Sequence, residues 1–183
     1  MSSKRKSSTR VIVLIDGSNF YHRLEEIGVY NQLKFDYYQF ANHLSRGRKI
    51  VWRNYYVGVV RARPDDKKAQ ELRRNQQKLF ATLRKAEFSL YFGYLLKSDK
   101  KYHEKGVDVN IAVDLLVGAY EDQYDTAILV SSDTDLLPVI LKVRQLGKKV
   151  EYVGFGHKPS LAMIANCDFS KLLDKEDLKP FMK

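Results

Sequence analysis

The sequence has one cysteine, Cys167, in 183 residues. That excludes an intramolecular disulfide and a zinc site built from several cysteines, and it suits a reducing cytoplasm. No apolar run approaches the roughly 18 residues of a membrane span, so no spanning segment is expected, and no membrane is assigned as partner. The basic start Met1-Ser2-Ser3-Lys4-Arg5-Lys6 is like the opening of a secretion signal. The apolar run behind it, Val11 to Ile15, stops at Asp16 and is too short for a signal core; a transit peptide is the alternative to a basic arm, and the tract is short for one. No G-x-x-x-x-G-K-S/T is present, which removes a P-loop nucleotide site. His22, His43, His103 and His157 fall in no metal-ligand spacing, and none is assigned a catalytic role. Acids are outnumbered, 22 against 32 Lys+Arg, for a net charge of +10. Such an excess favours polyanions: RNA, DNA or an acidic membrane surface.

With no internal repeat and no Gly/Ser linker, the chain reads as one domain. Residues 1–10 carry four cations and no acid, and are expected to be a disordered basic arm. The domain is expected over 11–173, and a polar C-terminal tail over 174–183. Val11–Ile15, Ile50–Val60, Phe88–Leu96, Thr126–Val130 and Lys149–Phe155 read as strands. Asn19–Ile27, Tyr37–Leu44 (capped by Asp36), Asp65–Lys85, Val107–Tyr120, Leu136–Leu146 and Ser160–Asn166 read as helices. A short apolar segment then runs to Leu173. Ser98–Gly106 reads as a charged connection, either a flap or a plain loop. The alternation predicts an α/β fold with a mostly parallel sheet and helices on both faces.

Three acidic motifs stand at predicted element ends. Asp16 ends the first strand in Ile15-Asp16-Gly17-Ser18-Asn19. Asp133 and Asp135 follow the buried Thr126–Val130 strand in Ser131-Ser132-Asp133-Thr134-Asp135. Asp108 opens a helix in Lys105-Gly106-Val107-Asp108. Each of these has a bland alternative as a helix cap. One cap needs one carboxylate, however, and the neighbouring pair Asp133/Asp135 repels itself unless a cation is near. Asp114 lies six residues after Asp108, about 600° around the helix. It is therefore assigned a supporting or packing role, accepting a hydrogen bond from a neighbouring loop. If the first and the Thr126–Val130 strands are neighbours, Asp16 and Asp133 flank the topological switch point where open α/β sheets bind ligands. Asp108 can reach the same edge. An all-carboxylate cluster suits Mg²⁺ or Mn²⁺. An acidic pocket on a basic protein points to phosphodiester cleavage.

Asp16-x-x-Asn19 after an apolar strand, Lys105-Gly106-Val107-Asp108 with Asp114, and Ser132-Asp133-x-Asp135 before Pro138 occur in one order. Together they resemble an NYN domain of the PIN-like nuclease superfamily, in its LabA-like branch, from about Val11 to Leu173. The resemblance implies a Rossmann-like sheet of order 3-2-1-4-5 and a metal-dependent endoribonuclease acting on single-stranded RNA. It implies Asp16, Asp108 and Asp133 as metal ligands, Asp135 as a fourth acidic member, and Asn19 as a polar partner near the scissile phosphate. Ser132 stands where the family often has Gly and is given a supporting role. A haloacid-dehalogenase-type site fails because Ser18 stands where a second Asp is needed. An integrin-type D-x-S-x-S fails at Phe20.

Arg61 to Lys105 holds thirteen Lys/Arg against six acids. Arg61 and Arg63 follow a strand and, with Lys105, are the chosen phosphate contacts. The cations of the Asp65–Lys85 helix read as a solvated face. Arg46, Arg48, Lys49 and Arg53 form a second basic group. Tyr21, Tyr37, Tyr38, Tyr55 and Tyr56 either stack on bases or belong to core and rim. Cys167 reads as a small buried hydrophobe, and Asp168 is left outside the site. A catalytically silent RNA-binding module and a DNA nuclease are the rival functions. A homo-oligomer is left open.

Overall fold

In a computed structural model of the chain, residues 9–60, 65–98 and 101–182 are described, side chains excepted for 94–98 and 101–104. The apolar run Val11–Ile15 becomes the centre of the sheet. It lies in β1 (Arg10–Asp16), followed by α1 (Gly17–Glu26), α2 (Tyr37–Ser45), β2 (Lys49–Gly58) and α3 (Lys67–Lys85). Then come β3 (Ser89–Ser98), β4 (Lys101–Lys105), α4 (Val107–Tyr120), β5 (Thr126–Val130) and α5 (Leu137–Gln145). The chain closes with β6 (Lys149–Phe155), α6 (Leu161–Asn166), β7 (Phe169–Leu173) and α7 (Lys175–Leu178). The strand order is β4-β3-β2-β1-β5-β6-β7, and only the β3–β4 pair is antiparallel. Leaving out that hairpin strand, the six parallel strands run 3-2-1-4-5-6, which is the expected order with one strand added at the edge.

The period-2 alternation of a strand explains the two cores. Val11, Val13 and Ile15 point to one face, where α1, α2 and α3 contribute Phe20, Leu24, Phe40, Leu44, Phe80 and Leu83. Ile12 and Leu14 point to the other, where α4, α5 and α6 contribute Ile111, Leu115, Ile140, Val143 and Met163. All five residues Val11–Ile15 are fully buried, so each contributes about 1.5–3 kcal/mol of transfer free energy. Crossovers before β3 lie on the first face and those after it on the second. The order therefore reverses between β1 and β5, opening a crevice at their C-terminal ends.

Two expectations are corrected. Ser98–Gly106 contains β4, paired from Tyr94↔Lys105 to Ser98↔Lys101. Its charged residues mimic a loop because charge is how edge strands resist further pairing. The expected polar tail folds back on the first core: Leu178 and Phe181 are buried, and Asp36 N donates to Phe181 O at 2.7 Å. The Phe181 ring meets Phe40 edge-on at 5.4 Å. These apolar residues stand three apart, so one turn aims both inward while their charged neighbours dominate the composition. Among the described residues, no helix is long and apolar enough to cross a membrane.

Candidate active site

Asp16 is both the last residue of β1 and the N-cap of α1. Its Oδ1 accepts from Asn19 N at 3.0 Å and its Oδ2 from Ser131 Oγ at 2.9 Å. Gly17 is required by close approach: a Cβ there would lie 2.4 Å from Tyr55 Cε1 and 2.7 Å from Tyr56 O. α1 can thus start directly against β2 and keep Asp16 at the crevice. Across the switch point, β5 ends at Val130 and Asp133 caps a turn of 3₁₀ helix, its Oδ1 accepting from Asp135 N at 2.9 Å. Asp16 and Asp133 are therefore both caps, and capping leaves each at the crevice.

Asp108 arrives from the far side of the sheet. Gly106, at φ 86°, is the N-cap of α4, and Asp108 is the second helical residue. The junction crosses β3 at Gly93, where a Cβ would lie 2.7 Å from both Lys105 O and Val107 Cγ2. A bare backbone at Gly93 lets α4 begin on the sheet surface. Asp16, Asp108 and Asp133 then each bring one carboxylate oxygen to within 4.8 Å of the others. Asp16 is 4% exposed, and solvent reaches the other two.

The remaining expected residues are placed differently. Asn19 ties the two loops together, its Oδ1 accepting from Ser132 N at 3.2 Å. Ser132 Oγ lies 2.9 Å from Tyr152 OH, which in turn accepts from Ser160 N. Asp135 is exposed and outside the group of three. Asp114 lies away from it, under β2, accepting from Tyr56 OH at 2.6 Å and Asn54 Nδ2 at 3.1 Å. Its donors come from a strand, not from the expected loop. Burial, then Asp114, drives the Tyr56 hydroxyl well above the ordinary tyrosine range, so it stays a donor. Lys105 is exposed three residues before Asp108. Arg61 and Arg63 lie outside the described residues.

Of the second basic group, Arg48 forks onto Glu151 at 2.6 and 2.8 Å. Arg53 holds Glu87 and Asn42, and Arg46 sits over the Phe169 ring. The α3 cations are exposed. Tyr37, Tyr55 and Tyr56 are core residues, while Tyr21 and Tyr38 reach the surface. Burial pushes the Cys167 thiol up to about 11, which keeps it protonated and unreactive.

Sequence reasoning passed over Ser131 as a site residue. Its hydroxyl, 1% exposed, donates to Asp16 and accepts from Asp133 N at 3.2 Å, linking the two carboxylate loops. The available signal was a polar residue directly after four buried apolar ones, Ala127 to Val130.

Fold and site define the class: a doubly wound α/β domain with a carboxylate group at its switch point. Residues 10–173 match the model of the NYN domain, and the chain belongs to that family. The family falls in the PIN-like superfamily, whose members are usually nucleases. The fold resembles that of a protein of unknown function from Vibrio parahaemolyticus, with TM-score 0.74 and 24% identity over 100% of both chains. A fainter likeness is to T5 5′-exonuclease with zinc bound, at TM-score 0.44 and 13% identity, covering 85% of this chain and 60% of that one. No curated protein matches the sequence.

Proposed function

We propose that this protein is a metal-dependent endoribonuclease that hydrolyses phosphodiester bonds of single-stranded RNA. The observation that carries the reading is the convergence of Asp16, Asp108 and Asp133 within 4.8 Å in an NYN chain of net charge +10. The donor set fits a hard divalent cation because it is all oxygen and drawn from three carboxylates that face one another. These three residues would hold Mg²⁺ or Mn²⁺. When bound, the ion supplies Lewis acidity that activates water and stabilises the leaving 3′ oxygen, giving 5′-phosphate and 3′-hydroxyl products.

The chain's own groups set the geometry. Ser131 fixes Asp16 and the Asp133 backbone with one hydroxyl. Asn19 spends its Oδ1 on Ser132 N, which directs its Nδ2 to the role of phosphate donor. Asp135 adds negative charge at the rim. Lys105, with Arg61 and Arg63 after β2, is the proposed contact to the phosphate backbone. The single cysteine, half-buried and protonated, suits a cytoplasmic setting.

The test is cleavage of a labelled circular single-stranded RNA with Mg²⁺ or Mn²⁺, against EDTA, with a DNA circle of the same sequence beside it. Linear RNA appearing only with the metal supports the reading. Equal cleavage of the DNA circle shifts the substrate class. Salt-sensitive RNA binding with no cleavage under either ion leaves a silent RNA-binding module.

A further inference from the structure

A groove of about 470 Å³ begins at Gly17 and Ser18, the two residues after Asp16. It runs between α1, the loop that follows it, the end of β2 and α3. Its β2 wall includes Gly58, two residues past Tyr56, the register partner of Asp16. The groove therefore opens at the same C-terminal edge of the sheet as the carboxylate group, although none of the three aspartates lines it. Its chemistry is different. Among the described residues that line it there is no carboxylate, lysine or arginine, and His22 adds an imidazole. It offers aromatic rings, aliphatic surface and amides instead. Tyr30 is 76% exposed, Leu72 50% and Tyr21 40%. The Tyr21 hydroxyl donates to Glu25 at 2.6 Å, which fixes its ring. Leu72, Asn75, Gln76 and Leu79 recur at helical spacing along one stripe of α3. Gln76 is occupied, accepting from Val60 N and donating to Gly58 O, so it fastens the end of β2 to that stripe. Asn75 leaves an exposed amide, and Lys68 stands exposed one turn earlier on the same side.

Described lining made of aromatic faces, aliphatic surface and amides suits the bases of a strand more than its phosphates. The exposed Lys68 stands beside it. We infer that this groove is a subsite for unstacked bases on one side of the scissile phosphate. Tyr30 and Tyr21 are the stacking platforms, Leu72 the apolar floor, and Asn75 the donor and acceptor for a base edge. The inference rests on the nucleic-acid reading above, and it gives that reading a reason to prefer single strands, because paired bases cannot enter.

The experiment measures binding of the full chain, in EDTA, to a labelled single-stranded RNA 10-mer and to the same strand with abasic residues. The variants are Tyr30→Ala, Tyr30→Phe and Leu72→Ser, all at exposed positions, with melting temperatures taken alongside. Stacking of about 1–3 kcal/mol per base corresponds to roughly 5- to 150-fold. The wild type is expected to prefer the base-bearing strand by at least about tenfold. Tyr30→Ala and Leu72→Ser should each lose a large part of that preference, Tyr30→Phe should keep it, and abasic affinity should stay put in all three. Equal binding of both strands by the wild type, or an undiminished preference in Tyr30→Ala and Leu72→Ser, overturns the subsite. If the wild type still cleaves RNA with Mn²⁺ in that case, the nuclease reading stands without it. A base preference that depends on Tyr30, with no cleavage under any divalent ion, keeps the subsite and removes the nuclease.

Discussion

The two ends of the parallel sheet treat their carboxylates in opposite ways. At the N-terminal end Asp122, Asp125 and Asp168 are each held by a cation. Arg10 holds Asp125 at 2.8 Å and Asp122 at 3.1 Å, Lys148 also holds Asp122, and Arg144 forks onto Asp168 at 3.0 Å. At the C-terminal end Asp16 and Asp133 are positioned by uncharged donors: the amides of Asn19 and Asp135 and the hydroxyl of Ser131. A neutral donor fixes a carboxylate without cancelling its charge. The first arrangement closes a structure, and the second gathers Asp16 and Asp133, with Asp108, so that one carboxylate oxygen of each lies within 4.8 Å of the others. Asp114 shows that neutral donors alone do not make a site. It too is held by a hydroxyl and an amide, but among the described residues it belongs to no carboxylate group, and it braces α4 against β2.

The largest effect is expected at the C-terminal end. Asp133→Asn keeps the cap acceptor and removes the charge, so turnover should fall by about 10³-fold or more, with the melting temperature within about 2 °C of wild type. RNA binding in EDTA should persist or tighten, because a repulsive carboxylate has gone. Normal turnover in the folded variant would break the contrast between the two ends.

Gly93→Ala tests whether placement of Asp108 depends on the bare backbone beneath it. The added Cβ meets Lys105 O, which cannot swing away as a side chain would. We expect a loss of about 1–3 kcal/mol in stability and a drop in turnover of about tenfold or more from a misplaced ligand. Kinetics that match wild type at a temperature where the variant is fully folded would show that α4 does not need this contact.

Asp114→Ala should leave the Tyr56 hydroxyl proton without its acceptor, while Asn54 Nδ2 keeps its bond to Tyr56, at a cost of about 1–3 kcal/mol, read by urea unfolding. Turnover of the folded protein should change by much less than in Asp133→Asn. A loss of similar size would move Asp114 into the machinery.

The smallest effects belong to the N-terminal end. Asp168→Asn, as the control outside the carboxylate group, should keep full cleavage activity and lose at most a few degrees of melting temperature. Asp125 is held below its ordinary value near 3.8 by the hydrogen bond from Arg10, and Asp122 by those from Lys148 and Arg10. The unfolded chain therefore takes up protons there before the folded one does. Their contribution is complete above about pH 4 and is lost as pH falls through the depressed folded values. The melting temperatures of wild type and Asp125→Asn should differ at neutral pH and converge in acid. A constant gap down to pH 2 would argue against the Arg10 pairing.

Much of this was legible in the chain. Val11–Ile15 as a doubly buried strand, the Val107–Tyr120 helix and the Asp36 cap follow from apolar runs and capping chemistry, which are local. What composition concealed were segments whose role is set by a neighbour. β4 is charged because it lies at an edge. Leu178 and Phe181 lie among charged residues that hide their shared inward face. Ser131 looks like loop until Asp16, 115 residues away, supplies the acceptor.

The sequence by itself determined the alternation of strand and helix, the basic excess, and the placing of acids at element ends, because periodicity, charge and capping act within a few residues. Only the tertiary structure decided which acids meet. Asp16, Asp108 and Asp133 come from three separate crossovers, and they converge because β1 and β5 pair at the point where the strand order reverses, while Gly93 lets α4 start against the sheet. Asp114, on the same helix as Asp108, is turned toward Tyr56 by a rotation that sequence could count, but its partner could be known only once β2 lay beneath it.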